Sequence, residues 1–123
     1  YKFIVCAPEG NFHEFGILQA ALLCTHYGLS VFYLGPNMPA KSLIDTQKSI
    51  GANRVVIGMT PSKQNQEDFT NQYLSEILDN LNGDEDKLIF GGTSKFDYDK
   101  FSGLKKFKSF INLKGFDNYL KNL

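Results

Sequence analysis

The sequence predicts an α/β domain, a doubly wound five-stranded parallel sheet with helices on both faces, and three observations predict it. Short β-branched runs alternate along the chain with longer stretches of helical periodicity. The first run, Lys2–Ala7, is apolar from Phe3 to Ala7, as a strand buried on both faces must be. The length, 123 residues, suits one domain that buries a core without covalent staples.

The elements follow in order. Residues 2–7 form the first strand, and Pro8–Phe12 a loop. Glu14–Tyr27 reads as a helix with Phe15, Leu18, Leu22 and Leu23 among its apolar positions, stopped by Gly28. His26, late in that helix, suits the negative end of its dipole. Leu29–Leu34 is the second strand, punctuated by Gly35-Pro36-Asn37. Pro39–Ile50 is a second helix, because a proline in the first turn loses no hydrogen bond there, and Gly51 ends it. Arg54–Ile57 is the third strand. A polar loop, Pro61–Glu67, leads to a helix over Asp68–Leu81, broken by Asn82-Gly83-Asp84. Lys87–Phe90 is the fourth strand, followed by Gly91-Gly92. Tyr98–Phe101 makes a short helical turn, Lys108–Ile111 a weak fifth strand and Gly115–Leu123 a last helix.

Composition removes several classes of function. Thirteen basic residues balance thirteen acidic ones, which disfavours a whole-domain grip on nucleic acid. The segment from Phe101 to Leu123 carries five lysines against Asp117, a pattern that a solvated amphipathic helix explains. Cys6 and Cys24 form no Cys-x-x-Cys pair and no zinc spacing, so they read as buried, reduced thiols of a cytoplasmic protein. No run approaches the ~18 apolar residues that span a bilayer, and no secretory signal is visible. The chain starts at Tyr1 and enters a strand at once, which suggests a domain excised from something longer.

In open parallel sheets, ligands bind beyond the carboxyl ends of the strands. Three loops leave those ends here: Pro8–His13, Thr60–Gln64 and Gly91–Thr93, with Gly35–Met38 close by. The first loop has no Gly-x-Gly-x-x-Gly for a dinucleotide, no Gly-Lys-Ser/Thr for a nucleotide triphosphate and no Ser/Thr-rich phosphate cradle. Glu9 alone is thin for a phospho-receiver, and Gly-x-Ser-x-Gly is absent. What the loop does offer is His13 at the mouth of a helix, an imidazole able to ligate a metal or move a proton. A lone histidine there is more often a surface or capping residue. Gly91-Gly92, taken alone, is a tight turn; it also lets a ligand approach the backbone.

Together the loops carry a resemblance. Asn11-Phe12-His13-Glu14-Phe15-Gly16 resembles the Asp-x-His-x-x-Gly signature of cobalamin-binding domains. Thr60-Pro61-Ser62 stands where that family has a Ser/Thr-bearing loop after the third strand. Gly91-Gly92 stands where it has paired glycines after the fourth. The three marks fall in order and span nearly the whole chain. Pro8–Gly16 and Tyr33-Leu34-Gly35-Pro36-Asn37-Met38-Pro39 look most like the sensor domains of MerR-type transcriptional regulators.

The resemblance implies the Rossmann-like, flavodoxin-like cobalamin fold over residues 1–123. It implies adenosylcobalamin or methylcobalamin as cofactor, with His13 the lower axial ligand to cobalt in place of the cofactor's own base. Asn11, Phe12, Gly16, Gly35, Thr60, Ser62, Gly91 and Gly92 are the accompanying cofactor-binding positions. Small residues at Gly16, Gly91 and Gly92 would line a slot for the nucleotide tail, and the hydroxyls of Thr60 and Ser62 would hydrogen-bond it. Met38 and Met59 are packing residues near its rim. The implied role is ligand sensing, without catalysis. DNA would be contacted only through a helix-turn-helix domain preceding this one, with no membrane partner, and a homo-oligomer is one form the assembly can take. A corrinoid-carrying domain of a methyltransferase or mutase is the alternative. A domain that has lost cobalamin and kept an interaction role is the third reading. Asn11 keeps that third reading open: the signature's carboxylate is an amide here, and losing such a partner typically weakens metal binding ~10–100-fold.

Overall fold

The computed structural model describes residues 1–12, 14–62 and 66–123. Strands and helices alternate throughout: β1 (Lys2–Pro8), α1 (Phe15–His26), β2 (Ser30–Met38), α2 (Ala40–Ile50), β3 (Arg54–Met59), α3 (Glu67–Asp79), β4 (Lys87–Gly92), α4 (Tyr98–Ser102), β5 (Phe107–Phe110) and α5 (Leu113–Lys121). The sheet has five strands in the order β2-β1-β3-β4-β5, and every neighbouring pair is parallel. The fold class read from the sequence is therefore the one observed.

The sheet divides two apolar layers. On one face Ile4, Cys6, Val55, Ile57, Leu88 and Phe90 pack against Leu43 of α2 and Tyr73, Leu74 and Ile77 of α3. On the other, Phe3, Val5, Val56 and Ile89 pack against Ile17, Ala20, Ala21 and Cys24 of α1 and Phe116 and Leu120 of α5. Alternate residues of one strand serve opposite layers, which is why the central strands are apolar without a break.

Several details differ from the sequence reading, among them β3 and β4, which each run two residues further than predicted, to Met59 and Gly92. The buried face of α1 is Ile17, Ala20, Ala21 and Cys24, while Phe15, Leu18 and Leu22 are exposed. The helix is apolar all round, so periodicity could not choose its inner face; the small side chains win because they let α1 lie close to the sheet. β2 does not stop at Leu34 but runs to Met38. Three steps along β1, from Val5 to Pro8, match five along β2, from Tyr33 to Met38, so the strand carries two extra residues in register shifts. Gly35 and Asn37 take positive φ of 83° and 59° at those irregularities. Finally, β5 and α5 begin one and two residues earlier than the pattern suggested.

Helix ends follow known chemistry. Gly28 and Gly51 lie in the left-handed region just after α1 and α2. Asn112 caps α5 by accepting from Gly115 N at 3.0 Å, and Asp97 caps α4 by accepting from Lys100 N at 3.2 Å. Arg54, 4 % exposed, opens β3 and is held by Tyr119 Oη at 2.9 Å and by the carbonyls of Asn53 and Glu85. Among the described residues no helix is long and apolar enough to cross a membrane.

Cys6 and Cys24 are free and buried, one in each apolar layer. Burial pushes each thiol up to about 12. At pH 8 a thiol at that value is roughly one part in ten thousand thiolate. Neither cysteine is expected to react with a thiol-specific chromogenic reagent at pH 8 until urea unfolds the chain. Rapid labelling of the native protein would contradict that burial. The sign of the linkage is that of an acid whose folded value is raised. The contribution is whole below the ordinary thiol range and is lost as pH climbs towards about 12.

Candidate functional site

β1, β3 and β4 end side by side, and the carboxyl edge they form is closed by α1 on one flank and α5 on the other. There a cavity of about 180 Å³ opens between sheet and helices. Gly16, Ile17 and Ala20 of α1 form one wall, and Phe110, Leu113 and Phe116 form the opposite one. Its floor is β3 and β4, paired from Val56↔Ile89 to Met59↔Gly92.

Glycine is required at two places on that floor. A Cβ on Gly58 would lie 2.5 Å from Ile17 Cγ2, so the bare backbone lets α1 settle onto β3. Gly92 has φ +118°, and a Cβ there would meet the Met59 carbonyl oxygen at 1.9 Å. Gly16 is a different case: a Cβ would meet nothing within 4 Å, so its hydrogen leaves the wall open.

Next to the cavity, Asn11 organises the loop after β1. Its side chain is 1 % exposed. Nδ2 donates to the Thr60 carbonyl at 2.8 Å, tying the β1 loop to the β3 loop. Asn11 N donates to Pro8 O at 2.9 Å, and Asn37 N donates to Asn11 O at 3.0 Å. Asn37 Oδ1 in turn accepts from Gly10 N at 2.9 Å. This two-bond clasp between the β1 loop and the end of β2 uses the positive φ of Asn37, which an asparagine tolerates better than most residues. The amide bond to Thr60 fixes which way the Asn11 side chain faces. Its Oδ1 is then a buried acceptor with no donor among the described residues.

Glu14 stands at the start of α1 and accepts from Tyr33 Oη at 3.1 Å. Burial, then the Glu14 carboxylate, pushes the Tyr33 phenol up to about 12. On the far side of the sheet, Tyr73 Oη donates to Met38 O at 2.6 Å and pins the end of β2 to α3.

The structure brings together four of the residues predicted as cofactor-binding: Gly16, Thr60, Gly91 and Gly92 all line the cavity. Asn11 sits beside them, joined through Thr60. Phe12 is 67 % exposed and Ser62 half-buried, and neither lines the cavity. Gly35 is in β2, paired with Cys6, also away from it. His13, the predicted metal ligand, lies outside the described residues. Met59 stands in the floor of the cavity, but its side chain, like that of Met38, belongs to the apolar layer on the α3 side. The sequence reading missed Gly58 and Asn37. The first had no signal, because one glycine inside an apolar strand names no partner. The second was visible as an asparagine after Gly-Pro, a residue fit for positive φ. Among the described residues no three His, Cys, Asp or Glu side chains gather into a metal-binding group.

No family model and no curated protein matches the sequence. Solved structures do match in fold. A cobalamin-binding protein from Desulfitobacterium hafniense DCB-2 superposes with a TM-score of 0.73 at 21 % identity, covering 98 % of this chain and 58 % of that one. The methanol:cobalamin methyltransferase complex MtaBC from Methanosarcina barkeri gives a TM-score of 0.73 at 19 % identity, over 98 % of this chain and 47 % of that one. The monomethylamine corrinoid protein of Methanosarcina barkeri gives 0.73 at 14 % identity, over 98 % and 57 %. This chain thus spans about half the length of the structures it matches. At identities of 21 % and below the likeness is one of fold: the chain has the five-stranded, all-parallel α/β architecture found in these cobalamin and corrinoid proteins.

Proposed function

We propose that this domain binds cobalamin with the cofactor's own base displaced from cobalt, His13 serving as the lower axial ligand. The observation that carries the reading is the cavity at the ends of β3 and β4, walled by Gly16, Gly91 and Gly92 beside the Asn11 loop. The residues fit the group. The slot runs between α1 and α5, where a nucleotide tail would lie, and Thr60 stands on its wall. Asn11 Oδ1, two residues before His13 in sequence, is a buried acceptor with no donor among the described residues. An imidazole N–H is the donor it would take, and that bond would orient the ring. Bound cobalamin would supply a cobalt centre whose upper ligand, adenosyl or methyl, carries the signal or the transferable group.

In this reading the domain is the sensor of a MerR-type transcriptional regulator and catalyses nothing. Support comes from the stretches Pro8–Gly16 and Tyr33–Pro39. Ligand state would bias the assembly, and through it the DNA contacts of a preceding domain, by binding two states unequally. A second reading, a corrinoid carrier for a methyltransferase, is favoured by the likeness in fold to MtaBC and to the monomethylamine corrinoid protein. The segment encoded upstream separates the two: a helix-turn-helix for the sensor, a catalytic partner for the carrier.

The test is an absorbance titration in the dark with hydroxocobalamin and adenosylcobalamin, on the native domain and on His13→Ala. A saturable spectral shift that disappears in His13→Ala is expected. Binding that ignores the substitution would remove the axial-ligand role. No binding at all would leave a domain that has lost cobalamin and works through contacts alone.

A further inference from the structure

The turn between α3 and β4 holds the one Asn-Gly pair in the chain, Asn82-Gly83, and both residues are exposed. Such a pair is self-reactive, because glycine has no side chain to shield its backbone nitrogen from the asparagine side chain before it. In this turn that nitrogen is engaged. Gly83 N donates to Asp86 Oδ2 at 2.9 Å, and Asp86 N donates back to Gly83 O at 3.1 Å. Lys106 Nζ donates to Leu81 O at 2.6 Å and to Gly83 O at 2.7 Å. The peptides on either side of the pair are therefore held, and Leu81 before them is buried. Gly83 fits there because it is bare: a Cβ would lie 2.8 Å from Asp86 Oδ1.

We propose that Asn82 is a site of spontaneous deamidation, which the folded chain holds in check through the bond from Gly83 N to Asp86. In the reaction the Gly83 nitrogen gives up its proton and attacks Asn82 Cγ. The new C–N bond closes a cyclic imide, the Cγ–Nδ2 bond breaks, and ammonia leaves with the proton. Water then opens the imide at either carbonyl, giving aspartate or isoaspartate. No oxidant or cofactor enters. Asp86 opposes the first step twice. Its negative charge disfavours loss of a proton from the nitrogen, and its bond must break before the nitrogen can turn to Cγ. Breaking a hydrogen bond to a charged group slows such a step by about tenfold or more. The product adds a carboxylate beside Asp84, Glu85 and Asp86, and isoaspartate lengthens the backbone inside the clamp. Conversion thus marks chains whose turn has opened.

Peptide mapping by mass spectrometry, on chain incubated at mildly alkaline pH, reads the rate at Asn82. The folded native chain is expected to convert at least about tenfold more slowly than the same chain in guanidinium chloride. Folded Asp86→Ala is expected to convert about tenfold faster than the folded native chain, and at the native rate once both are unfolded. Gly92→Ala weakens the domain away from this turn and is expected to keep the native rate. Equal rates in folded native chain and Asp86→Ala overturn the proposal, as does a native rate equal to the unfolded one. Equal acceleration by Gly92→Ala overturns it too, because global unfolding would then be the route. No conversion in guanidinium chloride removes the site itself. If Asp86→Ala does not fold, Asp86→Asn takes its place: it keeps an acceptor, loses the charge, and is expected to convert faster than the native chain. A rate equal to the native one there overturns the proposal.

Discussion

Gly92→Ala is expected to lower the stability of the domain by about 3 kcal/mol or more, read as a shift of the urea midpoint at unchanged slope. Two costs combine. The residue sits at φ +118°, which an L side chain adopts only under strain of about 1–3 kcal/mol. The new methyl also meets the Met59 carbonyl oxygen at 1.9 Å, and that oxygen belongs to the paired end of β3. Neither strand can retreat without breaking the ladder that forms the cavity floor. Against a total of roughly 5–15 kcal/mol for a domain, this is a large share. Gly16→Ala is the control. It adds the same methyl to the same cavity wall but meets nothing within 4 Å, and its place in the first turn of α1 favours alanine. Its stability is expected to hold or rise slightly. Equal midpoints for Gly92→Ala and the native chain would refute the steric account.

Asn11→Asp is expected to destabilise the ligand-free domain by about 1–3 kcal/mol at pH 7, although it restores the residue common in the signature. The native amide donates to Thr60 O at 2.8 Å. A carboxylate in that place turns an acceptor towards an acceptor, at a site 1 % exposed to solvent. It also buries a charge with no cation described beside it. Asparagine is thus matched to its surroundings here. The variant that keeps the donor, Asn11→Gln, tests size alone. Urea midpoints of the two variants decide the matter: if Asn11→Asp is as stable as the native chain, the bond to Thr60 is not what fixes asparagine at this position.

Much of this architecture was legible because parallel strands write themselves plainly. Phe3–Ala7, Arg54–Ile57 and Lys87–Phe90 are short, apolar and bounded by turn residues, and all three became central strands. β2 was harder. Its far end reads Gly-Pro-Asn, which is turn chemistry, yet hydrogen bonding to β1 carries it on to Met38. Local preference lost there to pairing with a neighbour distant in sequence. Within the site, the glycines were visible as punctuation, and the fold gives them different jobs: Gly92 avoids a carbonyl, while Gly16 leaves a wall open. Phe12 illustrates the opposite limit. A phenylalanine inside a motif suggests contact with a ligand, but the chain turns it 67 % into solvent. The turn chemistry of Asn37 was visible, but its clasp was beyond reach, because its partners, Gly10 and Asn11, lie on another strand's loop. No one-dimensional pattern records that meeting.

The irregular course of β2 has a consequence for how the protein behaves at high concentration. β2 and β5 are the two margins of the sheet, and a straight margin is a template for further strands from other molecules. β5 is four residues long and offers a short template. β2 is nine residues long and would be the dangerous one. Pro36 removes one donor from it, and the two register shifts twist its far half out of line. The same Gly-Pro-Asn stretch that hides the strand from a reader of the sequence also makes it a poorer template for strands of other chains.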